Sequence, residues 1–280
     1  VVLRDSARFT ATKARAISKQ DVVETGVTLT VDQQAHVAFG FYSADLTLSI
    51  DRFAERYLEG PAVALSNQFE VDGLIMAYQK TANLVGTPGT TPATLLPYQR
   101  AGQKIDDSGA PRNGKRSILI NSENEVVIVD ALKGLFNSQE QVKSQYEMGR
   151  MGRAMGFNWG MTQNIPVHTV GPLGGTPLVN GAGQTGAVLI TDGWTAAAAN
   201  RLKKGDVFTI AGVFAVNPVS KVALPVLQQF VVTADIASTG AGAATISISP
   251  AIAGPLALGA QNVSALPADN AALTIVGAAN

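Results

Sequence analysis

The sequence has no cysteine and only two histidines, His36 and His168. The first absence excludes disulfides, thiolate metal centres and cysteine nucleophiles. The histidines lie far apart and neither sits in H-E-x-x-H or related spacing, so both read as structural. Charge is also scarce. Asp, Glu, Lys and Arg make up 15% of the 280 residues, against about 25% in ordinary soluble domains. Acids and bases balance at 21 each. Such a neutral chain argues against a dedicated DNA- or RNA-binding domain, whose affinity rests on clustered Lys and Arg. No apolar run reaches the ~18 residues of a membrane helix. What is abundant is apolar: 46% of residues are hydrophobic. With so little charge, the surface must be covered by small and polar side chains or by partner subunits. Such a surface associates readily, which favours an assembly over a free monomer.

Residues 1–40 read as extended. "VETGVTLTV" alternates apolar and polar positions around Val23, Val27, Leu29 and Val31, the period of a half-buried strand. "AHVAFGFY" reads as a second such run. The basic residues Arg4, Arg8, Lys13, Arg15 and Lys19 precede them. We read this segment as a solvated or subunit-facing loop whose charges meet acids such as Asp21 and Glu24. A nucleic-acid arm would want aromatics interleaved with those bases.

Residues 49–85 read as the main helix. Ser49 is placed to cap it and Asp51 to sit in its first turn. Gly60-Pro61 interrupts the pattern, and Pro61 opens a second helical piece, where its missing N–H costs nothing. Val71, Leu74, Ile75, Tyr78, Ala82 and Val85 then share one apolar face. "PATLLPYQRAGQKIDDSGAP" reads as a second helix and "KRSILIN" as a short buried strand. "VVIVDALKGLF" leads into "SQEQVKSQYEMGRMGRAMGF", helix breaking down at its glycines. "NIPVHTVG" reads as a strand after a turn. Near Gly171 the composition shifts. "GPLGGTPLVNGAGQTG" reads as a flexible linker, and beyond it charge nearly vanishes. "AVLIT", "DVFTIAGVFAV", "QQFVVTADI" and "ATISISPAI" read as strands of a small β-barrel or sandwich.

Chemical motifs are weak. Gly181, Gly183 and Gly186 stand in G-x-G-x-x-G spacing, with Asp206 about 20 residues further on, as in a dinucleotide fingerprint. That fingerprint needs a strand before the glycines and a helix directly after them. "TPLVN" is a poor strand, "AVLIT" is not a helix opener and "LKKGD" reads as a turn between strands. We therefore read no cofactor site. The glycines of "GRMGRAMG" lack phosphate-loop spacing. Asp106 and Asp107 diverge by about 100° on a helix, so they solvate a helix end rather than act as a pair. Asn262-Val263-Ser264 matches a glycosylation acceptor by chance. No nucleophile, metal cluster or acid/base pair emerges, so no enzyme is expected.

Several ordered segments resemble one family. "RDSARFTAT", "VVETGVTLTVDQQAHVAFGFYSADLTLSIDRFAERYLEGPAVALSNQFEVDGLI", "RAMGFNWGMTQNIPVHT", "RLKKGDVFTIAGVFAVNPVSK", "LQQFVVTADI" and "ATISISPAI" are similar to the coat proteins of short-tailed phages of the Salmonella P-twenty-two type. The resemblance covers most of the chain. It implies an α+β architecture, the tailed-phage major capsid fold of Hong Kong 97 type, with an extended loop, a long spine helix and an inserted all-β barrel. Residues 1–48 would be the extended loop and peripheral-domain strands, and 49–92 the spine helix. Residues 93–175 would be the axial domain, and 176–280 the linker and inserted barrel. The family's N-terminal arm and C-terminal part are expected to be missing from these residues.

The function so implied is a structural one: a major capsid protein that self-assembles into the icosahedral shell around phage double-stranded DNA. Its expected partners are many copies of itself in hexamers and pentamers, a scaffolding protein, a portal and packaged DNA held non-specifically, with no membrane and no cofactor. Its expected place is the virion shell, assembled in the host cytoplasm. Arg4, Arg8, Arg15, Lys19, Asp21 and Glu24 are the candidate inter-subunit contacts. The competing reading is a β-rich binding module, an adhesin or tail component, with an exposed apolar or aromatic site in the barrel.

Overall fold

The structure is a computed structural model. It describes residues 58–88, 90–132, 152–196 and 200–277, and within the first forty residues 2–4, 9, 11, 13, 15–17, 19, 21–22, 26–28, 31, 33–38 and 40. Three parts follow one another along the chain: an N-terminal arm, a mixed body and a barrel.

In the arm, β1 (Val2–Arg4) pairs antiparallel with β2 (Gly26–Thr28), Val2 facing Thr28. The run expected as a second strand from Ala35 shows no strand over 35–38. An alternating run becomes a strand only where a partner edge takes its N–H and C=O groups, and among the described residues no strand pairs with this run. The apolar side chains of Phe9, Ile17, Val22 and Val31 are exposed.

The body opens with α1 (Glu59–Lys80). Pro61 lies in its first turn, where no intrahelical N–H is lost. Ser49 and Asp51, the expected cap and first turn, lie outside the described residues. The C-terminal end departs from the expected 85. Thr81 closes the helix with its hydroxyl on the Ala77 carbonyl at 2.7 Å, and residues 81–85 run without helix. The reason is a competing partner: both backbone polar groups of Leu84 are bound by the barrel side chain Gln229. A helix α2 (Leu96–Asp107) follows as expected, with Pro97 in its first turn.

Next come β3 (Ser117–Ile120), α3 (Ser122–Leu132), β4 (Arg153–Ala154) and β5 (Phe157–Met161). Their sheet runs β3-β5-β4, with β3 parallel and β4 antiparallel to β5. Asn121 accepts the Asn124 N–H at 2.9 Å, starting α3. The body core is small. Ile120 and Ile128 are buried among half-buried Tyr98, Ile118 and Trp159. Tyr98 and Trp159 tilt against each other at 5.1 Å. Most of the glycine-broken helix expected before Gly156 lies outside the described residues. Its last part is instead the β4–β5 hairpin, turning at Met155-Gly156.

The barrel is built from β6 (Gly175–Val179), β7 (Gly186–Trp194), β9 (Val207–Val216), β10 (Ala223–Val232), β12 (Ala244–Ile252) and β13 (Leu273–Ile275). Neighbours run antiparallel in the order β13-β9-β10-β12-β7-β6. A bridge between Leu178 and Ala272 brings the two edges together, so the barrel is nearly closed and exposes little free edge. The short β8 (Asn200–Leu202) and β11 (Ile236–Ala237) pair beside it. In β12, Ala244, Ile246 and Ile248 point inward while Thr245 and Ser247 face out. Phe208, Phe230, Leu189, Ile210 and Val232 fill the centre with Trp194.

Two expectations fail near the barrel's start. "NIPVHTVG" forms no strand. At its end the chain is held instead by a side chain, Asp206, which accepts from the His168 ring and from the Gly171 N–H. The glycine-rich stretch is not a linker but a hairpin, β6 turning into β7. Gly181 and Gly183 hold the positive φ that this turn requires. Gln184 fastens it, donating to the Asn180, Gly181 and Ile190 carbonyls and accepting the Ile190 N–H at 2.7 Å. β7 also outruns "AVLIT", continuing through Asp192 and Gly193 to Trp194.

Candidate functional site

The residues expected to meet neighbouring subunits are only partly within the described residues. Arg15, Lys19 and Asp21 are exposed. Among the described residues they form no ion pair with one another. Arg4 lies in β1, and Arg8 and Glu24 lie outside the described residues. Helix α1 continues the same theme. Of its 22 residues none is buried. Val71, Leu74, Ile75 and Tyr78 are half-buried, as the apolar face demands, but Val63, Phe69 and Met76 are exposed. Phe69 and Met76, seven residues apart, share one side of the helix, and exposed apolar side chains there suit a contact with a partner.

The seam between body and barrel is built by residues that sequence reasoning passed over or read differently. Asp206 is buried in the turn before β9. It accepts from His168 Nε2 at 2.7 Å, from the Gly171 N–H at 3.1 Å and from the Lys203 N–H at 2.8 Å. Three donors on one carboxylate satisfy a charge that would otherwise be costly to bury. The acid that suggested a ribose contact is thus a tie between the chain leading into the barrel and the barrel itself. His168 in turn packs its ring on Tyr78 of α1 at 5.4 Å. The structural role expected for His168 is met.

A second tie lies beside it. Gln229 of β10 accepts the Leu84 N–H at 3.0 Å and donates to the Leu84 carbonyl at 3.1 Å. Lys104 of α2 donates to the same Gln229 oxygen. Burial pushes the Lys104 ammonium below its ordinary value, and the nearby Asp107 carboxylate opposes that shift. No sequence signal marks Gln229, because a glutamine in a strand usually faces solvent and its partner lies 145 residues away. Earlier along α1, Asn164 donates to Glu70 at 2.6 Å and to Asn67 at 2.7 Å. The hydroxyl of Thr162 and the Asn164 amide hold the Glu70 carboxyl below the usual range.

Asp106 does more than solvate a helix end. Arg112 donates Nε to its carboxylate at 2.9 Å and Arg116 approaches at 2.8 Å. The Arg112 and Arg116 guanidiniums hold the Asp106 carboxyl well below the usual carboxylate range. Asn262 has its amide committed within the fold, accepting the Ala253 N–H at 2.9 Å and donating to the Ala251 carbonyl at 2.7 Å. Trp194 is enclosed and donates Nε1 to Thr191, so the barrel's tryptophan offers no exposed aromatic platform. Among the described residues, no three His, Asp or Glu side chains cluster to hold a metal ion. No described helix is long and apolar enough to cross a membrane.

The geometry is that of contact surfaces and structural ties rather than of a reaction centre, and the comparisons agree. Residues 6–280 match the family described as P22 coat protein, gene protein 5. No curated protein matches the chain. Among solved structures, the chain is similar to the CUS-3 coat protein I-domain, at 28% identity and a TM-score of 0.27 over 36% of this chain and 94% of that one. It is also similar to a chain of Mycobacterium phage Che8, at 12% identity and a TM-score of 0.48 over 98% of this chain and 83% of that one. A family match over nearly the whole length decides the matter: this chain belongs to the P22 coat protein family, a mixed α+β phage major coat protein that forms the virion capsid and is structural rather than enzymatic.

Proposed function

We propose that the chain builds an icosahedral shell of hexamers and pentamers around double-stranded DNA, using the Hong Kong 97 type of subunit. In this reading residues 1–48 are the extended loop, 49–92 carry the spine helix, 93–175 form the axial domain and 176–280 the inserted barrel. The carrying observation is the unpartnered apolar surface of the arm and of α1. Ile17 and Val31 are 95% and 85% exposed. A lone subunit leaves that surface in water, whereas a shell covers it with neighbours. Arg4, Arg8, Arg15, Lys19, Asp21 and Glu24 would pair across that contact. A scaffolding protein and a portal are further partners by family resemblance, and the neutral chain suits DNA that is confined rather than read.

Electron micrographs of the full-length protein test this reading. Closed shells of uniform diameter are expected. Isolated particles or fibres would favour a binding module or tail component instead.

A further inference from the structure

The Asp106 pair lies in a cleft of about 540 Å³ between α2, the chain leading into β3, and the β4–β5 hairpin. Three guanidiniums line it, from Arg112, Arg116 and Arg153, against the single carboxylate of Asp106. Asp106 is already shared by Arg112 and Arg116. The Arg116 side chain is only 12% exposed, and its Nε is buried with no acceptor. The Arg153 side chain makes no hydrogen bond or ion pair with the described residues. Its guanidinium end lies beside Gly114, whose positive φ of 74° favours glycine at that turn. The cleft thus holds a surplus of two positive charges in a chain whose acids and bases are equal in number. A buried N–H without an acceptor carries its full desolvation cost.

We propose that this cleft receives the carboxylate of an Asp or Glu side chain from a second copy of the chain. The inference rests on the shell-building reading above, which sets many copies side by side. Two forked guanidiniums and the Gln103 amide offer donors for a bidentate acceptor. The wall formed by Gly102, Met155 and Phe157 suits the methylenes of an acidic stem. Duplex DNA fits less well. Its phosphates lie on a convex cylinder that reaches Arg112 and Arg153 at the mouth but not the recessed Arg116.

Zero-length carbodiimide cross-linking tests this in full-length protein carrying Arg153→Lys, and separately in protein carrying Gln103→Lys. Copies labelled with heavy nitrogen and unlabelled copies are mixed equally, assembled, cross-linked, digested and weighed by mass spectrometry. The proposal expects an amide bond between the new lysine and an Asp or Glu peptide, with mixed-isotope pairs as abundant as same-isotope pairs together. Absence of cross-links at both positions overturns it. So do cross-links confined to same-isotope pairs, because the acid would then belong to the same copy. In parallel, Arg153→Gln should raise the free-subunit concentration at equilibrium with shells at least about tenfold while leaving the melting curve of the free subunit unchanged. Unaltered assembly of that variant also contradicts the proposal. If the unsubstituted chain forms no shells, the shell-building reading fails first. If it forms them but neither lysine cross-links, only the cleft assignment fails.

Discussion

The barrel and the rest of the chain solve the problem of burial in opposite ways. Sixteen buried residues form one continuous core inside the barrel, and its sheet edges nearly meet. Among the described residues, the body buries Ile120 and Ile128 at its centre, and α1 buries nothing completely. The arm is a two-stranded ladder with apolar side chains in water, and such a hairpin is marginal by itself. The barrel is therefore equipped to hold its own shape. Arm and helix α1 are equipped to be finished by something else, and in a coat protein the ready partners are other subunits. The ties at the seam make the barrel the anchor: Asp206 grips the incoming chain, and Gln229 grips the end of the α1 segment.

The sharpest way to break this contrast is a pair of matched truncations. Phe208→Ala empties a fully buried site in the barrel and should cost about 3–5 kcal/mol in chemical denaturation of the free subunit. Phe69→Ala, on the exposed face of α1, should change that stability by no more than about 0.5 kcal/mol, yet reduce shell formation seen by sedimentation. Equal losses from both would erase the distinction. Next in size comes Asp206→Ala, which strands three donors at the seam. About 2–4 kcal/mol should be lost, together with the Tyr78–His168 packing, read as a change in tyrosine fluorescence. A Tyr78 signal that stays fixed would mean that Asp206 serves the barrel alone.

Smaller effects refine the seam. Gln229→Ala removes the clasp on Leu84 and should cost about 1–2 kcal/mol. Limited proteolysis between residues 81 and 88 should quicken, while cleavage within the barrel stays slow. The weakest effect concerns acid. The folded-state pKa of Asp106 is depressed, so its contribution is complete above the ordinary carboxylate value near pH 4. It is lost as the pH falls toward the depressed value. Asp106→Asn should therefore narrow the gap in body stability between pH 5 and more acid solution, without altering the barrel.

Sequence reasoning reached the barrel more easily than the body, for a physical cause. A sheet that buries one face writes a period of two, as Ala244, Ile246 and Ile248 do. β6 escaped because Leu178 and Val179 are adjacent and its glycines look like a linker; its order comes from Gln184 and from β7, which no local pattern shows. The end of α1 was misplaced because Ala82 and Val85 keep helical spacing while Gln229 draws Leu84 away. The arm pattern around Val27 was legible, but a strand at Ala35 needs a partner that the described residues do not supply. Of the seam, only the structural role of His168 was legible. Most of its bonds join side chains to one another or to backbone across long separations, and they depend on the finished fold.

Amide hydrogen exchange, followed on free subunits and on assembled shells, tests the division most directly. Barrel amides in β9, β10 and β12 should be strongly and equally protected in both states. Amides of α1 and of the arm should exchange fast in the free subunit and slow sharply in the shell. Equal protection of α1 before and after assembly, or barrel protection that arises only in the shell, would contradict the division.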